Sequence, residues 1–340
     1  MRALLAFLAL GSSSICLAQT TTPKREMSWR DVCDSSKKQP LTPIEPSGPL
    51  RSQALATCDE TKLYYGLGES PDYAGALQCG WYQRGHPQNT RGNMFYGPGV
   101  LAMLYANGHG VPRNYELAIR FACEIAWAAD AENQNRVGHL EQLRDTQSQE
   151  TKFDLCDDIT SGLSHGTCTR ILTRTAAAVR ERNIAAVLKK LPPLAAAAFP
   201  FLRSAQTAFE KARVANEIDL SGTSRGALQF QEESELGDQF LANLRQFGSS
   251  DLPAASADDL VRLDRELNDV YQRIQNAPAT KWRFGTITQK GIRGTERKWL
   301  ALVDAWMVFA RTAYTKGAAT RIRGQLLRLR LQQLRSLADT

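Results

Sequence analysis

The chain has 340 residues, with 42 Lys and Arg against 35 Asp and Glu and a formal net charge of +7 at pH 7. That length allows two or three domains of about 100–200 residues, each with its own core. Ala, Leu, Arg, Glu and Gln are abundant and β-branched runs are rare, which argues against a sheet protein and for an all-α one. Past the N-terminus no window is long and uncharged enough to span a bilayer.

The opening MRALLAFLALGSSSICLAQ has Arg2, an apolar run from Ala3 to Leu10 and small residues before Gln19. This is a secretory signal layout with cleavage expected after Ala18, giving a signal peptide over 1–18. A lipid anchor on Cys16 is disfavoured by Ile15 directly before it. Residues 19–56 are rich in Thr, Ser, Lys and Pro, including Pro40, Pro43, Pro46 and Pro49, and read as an extended leader pinned by Cys33.

Six cysteines remain after that cleavage, and in an exported chain an even set favours disulfides over thiols. Several connectivities are open, and geometry must choose among them. Cys58 opens the first repeat helix and Cys79 lies a similar distance past the turn, so an antiparallel hairpin brings them level. Cys156 and Cys168 bracket a short loop, and Cys33 and Cys123 are left by elimination. No CxxC occurs and no zinc-ligand spacing is present.

From 57 to 145 an internal repeat is visible: helix, Gly-rich turn, an Asp/Asn-Tyr start, second helix. In the second copy Leu101, Leu104 and Tyr105 belong to the first helix and Asn107-Gly108-His109-Gly110-Val111 to the turn. Asn114 then caps a helix carrying Leu117, Ala118, Phe121 and Ala122. The segment GVLAMLYANGHGVPRNYELAIRFACEIAWAADAENQNRVGHL resembles the Sel-like repeats, relatives of the tetratricopeptide repeats. LYYGLGESPDYAGALQCGWYQRG resembles a copy shortened in its loop. The resemblance implies a scaffold for protein contacts and no chemistry.

Residues 146–256 form an Ala-rich helical region, expected to be broken by Pro192-Pro193 and by Pro200. Leu236, Phe240, Leu244 and Phe247 mark the buried face of its last helix. Over 257–340 two apolar stripes follow: Leu263, Leu267, Val270, Tyr271 and Ile274, then Trp299, Leu302, Val303, Trp306, Phe309, Ala310 and Ala313. Two amphipathic helices bury such stripes most simply against each other, with RIRGQLLRLRLQQLRSL completing a bundle. The expected architecture is thus all-α, a short α-solenoid of helical hairpins followed by a C-terminal helical bundle.

The bundle sequence resembles the lysozyme-inhibitor LprI-like domain of bacterial secreted proteins. Asp264, Leu267-Asn268, Tyr271, Trp299-Leu300, Asp304 and Trp306 stand at the family's pattern positions, while Val303 replaces its usual Arg and Tyr314-Thr315 its Tyr-Pro. The resemblance implies that 146–340 is one helical unit and that the protein binds lysozyme or another wall hydrolase.

Candidates for chemistry are few. His86, His109, His139 and His165 lie in no metal-ligand pattern. Asp157-Asp158 with Ser161 and His165, and Glu217 and Asp219 with Ser221, suggest triads, but helix capping accounts for Asp and Ser at such boundaries. The expectation is a binding protein, not an enzyme, with no cofactor, no metal and no nucleic-acid partner. Trp299 and Trp306 share a buried stripe and read as core with Leu263, Leu267 and Tyr271. A basic lysozyme would favour an acidic face, so Asp258, Asp259, Glu266 and Asp269, with Asp304 off the Trp stripe, are the candidate partner surface. Arg311, Lys316, Arg321, Arg323, Arg328, Arg330 and Arg335 face only Asp339 and read as a solvated basic helix face. The alternative function is an envelope-associated scaffold that does not inhibit lysozyme.

Overall fold

The computed structural model describes residues 28–38, 41, 55–86, 93–126, 128–147, 152–247, 253, 255–278, 285–315 and 317–338. The expected signal peptide with Cys16, most of the leader, Lys316 and Asp339 lie outside these residues. Twelve α-helices and one 3-10 turn (Leu155–Asp158) account for the regular structure, with no strand among the described residues. They are α1 (Trp29–Lys38), α2 (Glu60–Tyr65), α3 (Tyr73–Arg84), α4 (Pro98–Asn107), α5 (Tyr115–Ala122) and α6 (Asp130–Thr146). After these come α7 (Gly162–Leu188), α8 (Pro193–Asn216), α9 (Arg225–Gln246), α10 (Ala257–Asn276), α11 (Gln289–Ala313) and α12 (Ala318–Ala338).

Two cores organise the helices. The first gathers α1 to α6 around α4, whose residues from Gly99 to Asn107 are all buried. A helix apolar on every side must be surrounded. Both repeat copies build the same loop. Gly66 and Gly108 end α2 and α4 in the left-handed region, at φ 64° and 67°, a conformation that glycine adopts without Cβ strain. Asp72 and Asn114 then cap α3 and α5 by accepting from the N–H of Gly75 and Leu117, and their own N–H groups donate back to the carbonyls of Leu63 and Tyr105.

Disulfides tie this region together: Cys58 to Cys79, Cys33 to Cys123, and Cys156 to Cys168. The second of these pins the leader at Cys33. Residues 29–38 are not extended but form α1, because Ser28 and Asp31 cap its start and Val32, Cys33 and Ser36 are buried against α5 and α6. The first core also runs past residue 145, taking in Phe153, Leu155, Cys168 and Ile171. Since Ile184 belongs to the second core, α7 joins the two.

The second core is the bundle. Pro192-Pro193 do separate α7 from α8, with Pro193 at the first helical position. Pro200, expected to break the chain, sits inside α8 instead. It is exposed in an early turn, so the carbonyl that loses its N–H partner can meet water.

A second correction concerns pairing. The α10 and α11 stripes share one core, but α11 packs mainly on α8, and α10 packs mainly on α12. Both helices feed that core, α8 with Ala195, Leu202 and Phe209 and α11 with Leu302, Trp306 and Phe309, and Phe199 of α8 meets Phe309 edge to face. The connection from 277 to 288 is too long to force neighbours together. Gln289 instead seals the end of α10, its amide donating to the carbonyls of Ile274 and Ala277. Glu266 meets Arg335 and Leu260 lies beside Gly324, so α10 and α12 run in the same direction.

Candidate functional site

On α10 the acidic face is exposed but largely answered from within. Ser256 and Asp259 form a capping box, and Arg262 bridges Asp259 and Glu266 at 3.2 and 3.0 Å. The N–H and hydroxyl of Ser256, helped by Arg262, hold the Asp259 carboxyl down at about 2. Glu266 also takes Arg335 at 3.0 Å. Asp258 and Asp269 are exposed and make no ion pair among the described residues, and Asp304 is exposed on α11. Leu263, Leu267, Trp299 and Trp306 are buried, and Tyr271 packs half-buried against them.

The basic face of α12 is only partly solvated. Arg330 has no exposed surface. Its guanidinium grips Glu217 with two hydrogen bonds of 2.7 and 2.8 Å and Glu296 with one of 2.9 Å, over the ring of Phe209. Burial works against its charge, but Glu217 and then Glu296 outweigh that and raise its pKa. Arg213 extends the network to Glu217 and Glu232. The helix period that places Leu326, Leu327, Leu331 and Leu334 inward carries Arg330 in with them. Ile322 and Gly324 go the same way, while Arg311, Arg323 and Arg335 stay exposed.

The imagined triads are not assembled. Asp158 meets His139 at 3.1 Å, Ser161 caps α7 by accepting from the N–H of Ser164, and His165 is exposed. Glu217 turns inward to Arg330, whereas Asp219 accepts from the N–H groups of Ser221 and Thr286. His86 and His109 stack on Tyr82 and Tyr73. No group of three or more His, Cys, Asp or Glu among the described residues is placed to hold a metal, and no described helix is long and apolar enough to cross a membrane.

No family model, curated protein or solved structure matches this chain. The Sel-like and LprI-like resemblances therefore rest on the residues quoted for them.

Besides Glu296, two buried carboxylates were missed from the sequence. Glu132, fully buried on α6, accepts from the N–H groups of Thr160 and Ser161 and from the Ser164 hydroxyl. Burial would raise its pKa, but these donors pull it below the ordinary value. It anchors the start of α7 where the helix dipole favours an anion. Glu60, at the first turn of α2, accepts from the N–H of Gly97 at 3.2 Å and lies 3.5 Å from the Sγ of Cys79. Burial pushes its pKa from 4.5 up to about 7. No sequence pattern flags either one, since both partners sets are brought together by tertiary contacts.

Glu60 makes stability depend on pH. The folded chain keeps its proton up to about 7 while the unfolded chain releases it near 4.5, so stability falls as pH rises between these values. The loss expected from such a shift is on the order of 3 kcal/mol. Glu60→Gln keeps the acceptor for Gly97 and should flatten this fall, leaving the variant more stable than the parent above pH 7. Urea denaturation at several pH values measures it; parallel curves for the two proteins would refute the assignment.

Proposed function

We propose that this chain is an exported, periplasmic or secreted binding protein whose helical hairpins form a scaffold for a protein partner. The observation that carries this reading is the duplicated helix–loop–helix with matching caps and turns, stapled by disulfides. Three disulfides point to an oxidising, extracytoplasmic setting. Stacked hairpins of this kind present side chains to partners without the need for a catalytic pocket.

Inhibition of a lysozyme-type hydrolase is the narrower reading that the LprI-like resemblance implies. The α10 face supports it through Asp258 and Asp269, and Asp304 adds a carboxylate on α11. Arg262 and Arg335 weaken it by neutralising Asp259 and Glu266. A partner other than lysozyme is therefore the reading favoured by the charge pattern.

The test is a muramidase turbidity assay alongside a pull-down from periplasmic extract. Asp258→Lys with Asp269→Lys should cost no more than about 1–2 kcal/mol, chiefly at Asp258, because both are exposed and only Asp258 lies in the first turn of α10. Adding Asp259→Lys should cost about 0.5–2 kcal/mol because it removes the carboxylate half of the α10 capping box, on which the Ser256 N–H depends. Inhibition by the parent that the double variant abolishes would establish the lysozyme reading over the scaffold one. Absence of inhibition together with a specific captured partner would leave the scaffold reading standing.

A further inference from the structure

The tip formed by the end of α7 and the start of α8 is unlike the rest of the surface. Between Glu181 and Glu210 the chain carries Arg182, Lys189, Lys190 and Arg203 and no Asp or Glu. Lys189 and Lys190 are exposed and make no ion pair among the described residues, whereas Arg203 pairs with Glu181. Directly beyond them α8 exposes Leu194 at 71% and Phe201 at 57%, on the same helix face as exposed Ala197. Prolines 193 and 200 lie exposed in the same two turns. Phe199 packs on Phe309 and Phe240, which brings the ends of α9 and α11, with exposed Arg245 and Arg311, to this end of the bundle. The start of α10 reaches the same end of the bundle beside the first turns of α12; Asp258 is exposed there, while Asp259 is already held by Ser256 and Arg262.

We propose that this tip docks on an anionic lipid surface, with Leu194 and Phe201 entering the boundary between headgroups and acyl chains and Lys189 and Lys190 meeting lipid phosphates. Exposed apolar side chains rimmed by cations, with no acid in the segment, are the charge complement of such a surface. The patch stands on the turn between two helices and the first two turns of the second. The cleft lined by Leu163, Arg170 and Phe230, which would suit a peptide better, lies at the opposite end of α7. Self-association through the patch is disfavoured, because a two-fold contact would set the lysines of one copy against those of the other. The proposal is independent of which protein partner the scaffold binds.

The experiment uses protein recovered from the expressed full-length chain after any N-terminal processing. Co-sedimentation is measured with vesicles of phosphatidylglycerol and phosphatidylcholine in equal parts, and with phosphatidylcholine alone. The parent should bind the anionic vesicles, more weakly as salt is added, and ignore the neutral ones. Each cation near such a surface is worth about fivefold in partitioning, so Lys189→Glu with Lys190→Glu should lower it at least about 25-fold. Leu194→Ser with Phe201→Ser, at exposed positions that leave the core intact, should lower it by about tenfold or more. Failure of the parent to bind, or binding that both variants retain, overturns the proposal. So does a parent that ignores vesicles and sediments as a dimer that Leu194→Ser with Phe201→Ser dissolves, which would assign the patch to a second copy.

Discussion

Arg330→Met is expected to destabilise the protein by about 3–5 kcal/mol, because it leaves the buried Glu296 carboxylate without a cation and Glu217 with Arg213 alone. The methionine fills much of the same space, so the loss comes from the stranded charges more than from a cavity. Two further measurements separate charge from packing. Adding Glu217→Gln and Glu296→Gln to Arg330→Met should recover most of the loss, since replacing a whole buried ion network is often near neutral. The deficit should also shrink as pH falls. Burial already holds Glu296 above its ordinary 4.5 with Arg330 present, and without the guanidinium the folded state binds protons still more tightly than the unfolded one. Urea denaturation at neutral and mildly acid pH reads both effects; a single variant that melts with the parent would show that the network carries no stability.

Trp306→Ala should cost about 3–5 kcal/mol, the usual loss for truncating a buried tryptophan. Its ring has no exposed surface and touches Phe240, Phe247 and Phe309 at centroid distances of 5.6, 4.8 and 5.9 Å. Removing it opens a void where α8, α9 and α11 meet. Trp306→Phe should cost much less. The indole N–H has no hydrogen-bond partner among the described residues, so phenylalanine removes an unsatisfied donor while keeping most of the apolar volume. Thermal melts rank the three proteins; an alanine variant that keeps the parent's melting temperature but loses a bound protein would make Trp306 an interface residue instead.

Much of the local structure was decided by residues close together in the chain, and the sequence by itself determined it. Gly66 and Gly108 end their helices because glycine tolerates the left-handed backbone, and Asp72, Asn114 and Ser256 begin theirs because a short polar side chain reaches an N–H three residues on. The spacing of Leu263, Leu267, Val270 and Ile274 likewise fixes which side of α10 is buried before any neighbour is known. Helix α1 was hidden by proline-rich surroundings, although its own cap, Ser28 with Asp31, was present.

Tertiary structure decided which helices meet. A stripe says that a face is buried but not against what, and only the assembled core sets α11 on α8 and α10 on α12. It decided charge as well. Glu217 and Arg330 are 113 positions apart, and only the packing of α8 and α12 turns two residues that read as solvated or catalytic into one buried pair. Glu60 and Glu132 follow the same rule, since their desolvation comes from Gly97, Cys79 and the start of α7, all remote in the chain. The pairing of Arg262 and Arg335 with the acidic face of α10 is of this kind too, in that Arg335 arrives from the last helix. Local steric and hydrogen-bonding rules act over a few residues and can be read directly; burial and electrostatic partnership are properties of the assembled core.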